Sequence, residues 1–542
     1  MRPRLVLHPR CLGARVYFST QTQAKLPSTT RPSLPFLLVP RASPAVARSF
    51  TSERKRWLRH EARLVARYTI TLWGLGAAIV TILFALNEES SERRFPTPHE
   101  WNHLTRKFLR DAHGFRDPKN GETNWARALE LARGVVIRLE DDRKGGSGVV
   151  KLSDRQDPGL EVPGEFVNCD VSAKSEEWRR GYFEAIMLAA KAAEHVDGWV
   201  RDVTRNIVSP PEFVIGPSNP RPQPIPPGNP HAPREEDCVI AYPSAENWYV
   251  KVLATKGLTP RQKMDAALEY ASFMEFKARQ DESEALYGLA LAEATQGIEP
   301  TKLPYHPKTF VLESRAESPS MNVLDALTAM ATFKARRGDV SSALAIYVSV
   351  LKARRALAEA PPKAAPTKPN RESLLEQVVR FFAPPDYPPP PPDGSLPPWR
   401  SAHERCQEAS LNLYIGEILY ATSTSSRDDG LAWTRDGVDL AEEQLRTMSL
   451  TSQDKDAKRT CRECLTMGLD NWSTMVSRLA KAEKAKSQSA KPVIFPFWSG
   501  SRDAEDRWAA EEAVVQDRKR RTKELLEDVV PPSSGFLPFL RA

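Results

Sequence analysis

Cys461 and Cys464 stand as Cys-x-x-Cys, the spacing at which two thiols on one turn exchange electrons through a shared disulfide. Their neighbours argue for another use. Leu465, Leu469 and Trp472 recur around them at helical spacing, which places the pair mid-helix on an apolar face, where cysteine behaves as a small hydrophobe. No second pair accompanies them, and the nine-residue spacing of imported twin-cysteine proteins is absent. The reading is therefore core packing, with thiol oxidoreduction as the alternative that thiol trapping would test. Six cysteines in 542 residues, Cys11 among them, do not make a disulfide framework. Gly145-Gly146-Ser147-Gly148 has the glycines of a phosphate loop, but no Gly-Lys-Ser/Thr follows and no helix opens there, so a hairpin or plain loop is expected. Arg337-Gly338-Asp339 spells an adhesion tripeptide and reads instead as a turn between two helices. The nine histidines are scattered singly, without metal-ligand spacing or a nucleophile elbow nearby. These residues name no catalytic, cofactor-binding or metal-binding position, and the chain is read as a non-enzyme.

The strongest element is Tyr68 to Leu86, nineteen residues without a charge. As a helix it spans roughly 28 Å, close to the ~30 Å hydrocarbon thickness of a bilayer. It reads as a single membrane span. Residues 1–50 carry eight basic side chains and no acid, and are rich in Ser, Thr and Pro. That composition is expected of a mitochondrial transit peptide, drawn toward the negative matrix side, with cleavage after Arg48-Ser49-Phe50. The short segment 51–67 holds six basic groups against Glu53 and Glu61, while Glu88, Glu89 and Glu92 follow the span. The positive-inside bias then leaves the N-terminus in the matrix and about 450 residues in the intermembrane space.

The first 67 residues carry a formal charge of +12, so the chain's net +8 comes from them and everything beyond the span is slightly acidic, about −4. No basic face for nucleic acid is implied.

The soluble part is expected to be all-α. In the N-terminal part, 95–245, Thr97-Pro98-His99-Glu100 reads as a capping box that opens the first helix. Helices follow over Asn124–Leu139 and Ser175–Val203, with two β-prone runs between them in Val135–Leu152. Pro210 to Pro233 carries ten prolines in twenty-four residues and reads as an extended strap. Residues 246–357 are alanine-rich helical pairs. Thr259-Pro260 and Asp281 start two of these helices, and Leu327 to Leu351 matches the tetratricopeptide pattern best. There Leu327, Met330 and Ala331 fill the Trp, Leu and Gly slots, Gly338-Asp339 the turn, and Ala343 with Tyr347 the Ala-x3-Phe. A proline-rich insertion at 358–400 is expected to be a mobile loop. Pairs resume over 401–482, with Ile415-Gly416 in a Leu-Gly slot, and 483–542 gives a solvated terminal helix and tail.

Together, the leader, the span, and the stretches FPTPHEWNHLTRKFLR (95–110), KSEEWRRGY (174–182), GPSNPRPQPIPPGNPHAPREEDC (216–238) and KVLATKGLTPRQKMDAALEYA (251–271) resemble a fungal family of mitochondrial inner-membrane tetratricopeptide proteins. The resemblance implies the role of an adaptor subunit of the i-AAA protease supercomplex. The resemblance covers about residues 60–480. It implies a helical-pair solenoid that binds unfolded or misfolded protein substrates and delivers them to the protease subunits, with no cofactor and no catalytic residue. An assembly or import scaffold for a respiratory or translocase complex is the alternative.

Overall fold

The computed structural model describes residues 53–118, 122–152, 166–225, 231–313, 318–359, 387–422, 426–451, 455–489 and 500–526. The expected transit peptide, its cleavage site and the C-terminal tail lie outside the described residues, as do residues 360–386 of the proline-rich insertion. The chain is mostly helical and divides into two units, residues 1–85 and 86–542.

Helix α1, Glu53–Arg94, contains the uncharged stretch without a break and is the one described helix long and apolar enough to cross a membrane. Its apolar side chains are exposed, Trp73 at 75% and Ile70 at 71%. A helix apolar all round and buried against nothing is what a bilayer would cover.

In the second unit the last turns of α1 are held by ions rather than by packing. Glu92 accepts from Arg106 Nη2 at 2.8 Å and pairs with Arg110, which also pairs with Glu88. Thr97 gives its hydroxyl to Glu92 at 2.9 Å instead of capping a helix. The helix expected from Thr97 therefore starts later: α2 is His103–Arg116, with Asn102 before it. Trp101 is buried against Gly181, where any Cβ would lie 2.7 Å from the indole.

Helix α3, Trp125–Leu139, begins where its sequence indicates, with Asn124 Oδ1 accepting from the Arg127 amide. The expected hairpin around the glycines is not formed. Residues 135–139 continue α3, and β1, Val150–Leu152, pairs instead with β2, Asn168–Asp170, in antiparallel register. Helix α4, Glu176–His195, is capped by Ser175, whose hydroxyl accepts from Trp178 N, and it stops well before Val203. The chain turns at Gly198, φ +75°, into β3, Val200–Asp202, which pairs with β4, Ile207–Ser209, and with β5, Cys238–Ile240. The strap between β4 and β5 folds back on itself: Ile215 N donates to Pro233 O, and the Asn219 amide to the carbonyls of Glu212 and Val214.

The remaining helices are α5, Ala245–Ala254; α6, Pro260–Phe276; α7, Gln280–Ala294; α8, Met321–Arg337; α9, Val340–Arg355; α10, Ala402–Thr422; α11, Arg427–Thr451; α12, Lys455–Ser489; and α13, Gly500–Leu526. Local rules set their ends. Thr259 and Gln262 form a complete capping box at α6. Gly338 closes α8 in the left-handed region at φ +93°, and Asp339 caps α9. Small residues let backbones touch: a Cβ on Gly416 of α10 would lie 2.8 Å from the Gly430 carbonyl of α11.

The core runs through the unit in successive stretches, one around α2 to α6, one around α6 to α10 and one around α10 to α13. Two of its features are polar. Lys251 is wholly buried with Glu140 at 2.7 Å, and Tyr182 donates to the same carboxylate at 2.8 Å. Arg354, also buried, pairs with Glu404 and lies 2.9 Å from Asp325. A buried cation is tolerated only when paired in this way. The terminal helix is less solvated than its sequence suggests, because Trp508, Val515 and Thr522 are buried and Arg518 reaches Glu442 at 2.7 Å.

Candidate functional site

Helix periodicity assigns α4 two faces. Tyr182, Ile186, Ala189 and Ala193 enter the core, and Arg180, Glu184, Met187 and Lys191 look the other way. The same alternation brings Asp265, Leu268, Glu269 and Ser272 of α6, and Ala329 and Arg336 of α8, to one side, with His113 of α2 and Tyr287 of α7 completing the walls. They enclose a groove of about 670 Å³. Its floor is apolar, from Phe183, Met187 and Leu268, and its rims are charged.

The charges are paired across elements. His113 Nε2 lies 3.0 Å from Glu184, Lys191 Nζ 2.8 Å from Glu269, and Arg336 3.3 Å from Glu275. Burial pushes the Asp265 carboxyl up, against the opposing pull of Arg261 3.1 Å away. Burial and the Glu275 carboxylate push the Tyr287 phenol up to about 12, so it stays a donor at neutral pH. Balanced rims of this kind give no strong field for a phosphate. They offer donors and acceptors spaced along an apolar floor, which suits an extended polypeptide.

One end of the groove is already engaged. Arg180 donates from Nη1 to Pro389 O at 2.8 Å and from Nη2 to Pro388 O at 2.6 Å, and its guanidinium lies 4.3 Å from the Tyr387 ring centroid. Farther on, Asn322 Nδ2 donates to Asp393 O at 2.9 Å, and the first amides of α8 are satisfied by carbonyls of the same segment, Asn322 N on Gly394 O and Met321 N on Leu396 O. Residues 387–400 of the insertion are therefore fastened to α4 and α8 and are not the free loop expected. Prolines have no N–H, so every carbonyl they present is open to donors from outside.

The residues singled out by their chemistry fall elsewhere. Cys461 is bonded to Cys406 of α10, not to Cys464, and all three are buried. The reading of Cys461 as a packed thiol is thereby corrected: the partner lies 55 residues away, beyond the reach of any local motif. Cys464 remains a thiol, 2.8 Å from Ser410 Oγ, and burial pushes its pKa up. The Gly145 turn is a single irregular helical turn closed by Gly146 N on Asp141 O. Gly338 and Asp339 form the turn between α8 and α9, and Arg337 pairs with Glu284 of α7. His403 sits 3.7 Å from Glu404 and His195 stacks on Trp125. Among the described residues no group of three or more His, Cys, Asp or Glu is placed to hold a metal ion.

Sequence reasoning did not identify the groove residues. Arg180 lies in KSEEWRRGY (174–182), and its place on the helix side opposite Tyr182 is the available signal. No family model, no curated protein and no solved structure matches this chain.

Proposed function

We propose that the chain is a non-catalytic adaptor of the mitochondrial inner membrane, which holds extended or unfolded protein segments in the intermembrane space and delivers them to the i-AAA protease. On this reading the pairs α6–α7, α8–α9 and α10–α11 are tetratricopeptide-like repeats. Their support is the Gly338-Asp339 turn, the buried Ala343 and Tyr347, and the Gly416 crossing. The observation that carries the reading is the groove with an apolar floor and cross-paired rims, engaged at one end by extended chain through two backbone carbonyls and one tyrosine ring. The carbonyl part of this recognition is indifferent to sequence, which suits a receptor of many damaged proteins, and the ring adds a preference.

The uncharged stretch of α1 supports the membrane anchor, and the basic residues before it support a matrix N-terminus. The Cys406–Cys461 bond supports placing the large unit on the oxidising side of the membrane, because glutathione and thioredoxin keep thiols reduced elsewhere.

A photo-crosslinking amino acid at Ser272, exposed in the groove, tests the reading in isolated mitochondria. Adducts with unfolded inner-membrane proteins are expected there and not from Lys352, exposed on α9. Equal labelling from both positions would remove the groove from the account.

A further inference from the structure

We infer that Tyr387–Gly394 is a ligand of the chain's own groove, and that the groove therefore takes in trans an extended segment with an aromatic residue leading into prolines, in competition with this internal one. The inference rests on the groove being the polypeptide site and names its substrate class.

The internal segment displays the recognition chemistry directly. The sequence from Tyr387 is one tyrosine, five prolines, Asp393 and Gly394. Proline fixes φ near −65° and pre-organises a polyproline helix, so the segment loses little entropy on docking. Arg180 reads it twice over, the planar fork donating to two successive carbonyls while its face covers the tyrosine ring. The ring is seated among groove residues: burial and the Glu184 carboxylate push its phenol up to about 12, with Arg180 opposing. At the other end, Asp393 and Gly394 give their carbonyls to Asn322. Gly394 lies at φ +71° in a place where any Cβ would strike Asn322 Oδ1, so the exit is fixed. Asn322 is in turn held by Arg261 of α6 at 3.0 Å. The segment thus bonds Arg180, which lines the groove, and beyond the groove's lining it bonds Asn322 of α8, which Arg261 ties to α6. Nothing in these contacts requires the tyrosine and prolines to belong to the same chain. An incoming segment with the same order would make the same bonds once the internal one leaves, and its apparent affinity is reduced by the fraction of time Arg180 is covered.

The test uses the full chain in nanodiscs and a fluorescein-labelled synthetic peptide of sequence Tyr-Pro-Pro-Pro-Pro-Pro-Asp-Gly, read by anisotropy. In an opened variant, residues 387–392 are exchanged for a Gly-Ser run of equal length. The opened variant is expected to bind the peptide about tenfold or more tightly than the unaltered chain. Arg180→Met in the opened background is expected to lose at least that factor. Tyr387→Ala, which removes only the ring over Arg180, moves binding the same way by a smaller factor and covers the case in which the opened variant fails to fold. No gain on opening by either route, or binding indifferent to Arg180, would overturn the inference. Reduced and alkylated lysozyme serves as an unrelated unfolded probe. If the variants bind it but not the peptide, the groove remains a polypeptide site and this inference alone falls; if they bind neither, both fall.

Discussion

The bond between Cys406 and Cys461 joins α10 to α12 across 55 residues, and breaking it should be the largest single loss of stability available in the C-terminal stretch of the core. Closing a loop of that length removes denatured-chain entropy worth about 4 kcal/mol at 25 °C. Both sulfurs are fully buried, so the double variant Cys406→Ala/Cys461→Ala also loses some packing. The assay is urea unfolding of the full chain in detergent, followed by the fluorescence of Trp433, Trp472 and Trp508, with and without dithiothreitol. Because reductant must reach a buried bond, it acts only on molecules that open, and samples must be equilibrated within the transition. The chain without reductant should exceed the double variant by at least about 4 kcal/mol. Reductant should bring it down by about 4 kcal/mol, to no lower than the variant, and leave the variant unmoved. The reasoning is refuted if alkylation in denaturant, without reduction, labels Cys406 and Cys461 as readily as Cys464.

Further outcomes follow from other contacts. Arg354→Met strands the buried Glu404 carboxylate and should cost about 3–5 kcal/mol in the same unfolding assay, far more than the exposed pair Arg459–Glu463 would. Gly416→Ala pushes a methyl against the Gly430 carbonyl and should cost about 1–3 kcal/mol by forcing α10 from α11, seen as a lowered melting temperature. His403 is held above its ordinary pKa by the Glu404 carboxylate 3.7 Å away, with burial opposing, and so adds stability that is full below about pH 6.5 and lost as pH rises through the raised value. The urea midpoint should therefore fall between pH 6 and 9, and His403→Asn should flatten that part of the profile.

What the sequence shows and hides in this chain follows the range of the interactions. The span needs only its own composition, and the caps at Asn124, Ser175 and Thr259 and the Gly338 turn need only neighbours three or four residues away. Thr97 looked like such a cap and is not one, because Glu92 and the arginines of α2 compete for its hydroxyl. Val135–Leu139 has β-branched residues but is helical, since its buried face packs in the α2 to α6 core. The strands β1 and β2, the Cys406 bond and the hold of Arg180 on Pro388 depend on partners 18, 55 and 208 residues away, which no local pattern specifies. The groove was hidden for the same reason: it is made of the solvent sides of several helices, and amphipathic periodicity identifies the side that is buried.

The most direct test of the adaptor reading is purification of the tagged full chain from mitochondria in mild detergent, with the co-purifying proteins quantified. The i-AAA protease subunits are expected to come down near stoichiometrically, together with unfolded inner-membrane proteins. A respiratory or translocase subunit dominating the eluate, with the protease absent, would contradict it.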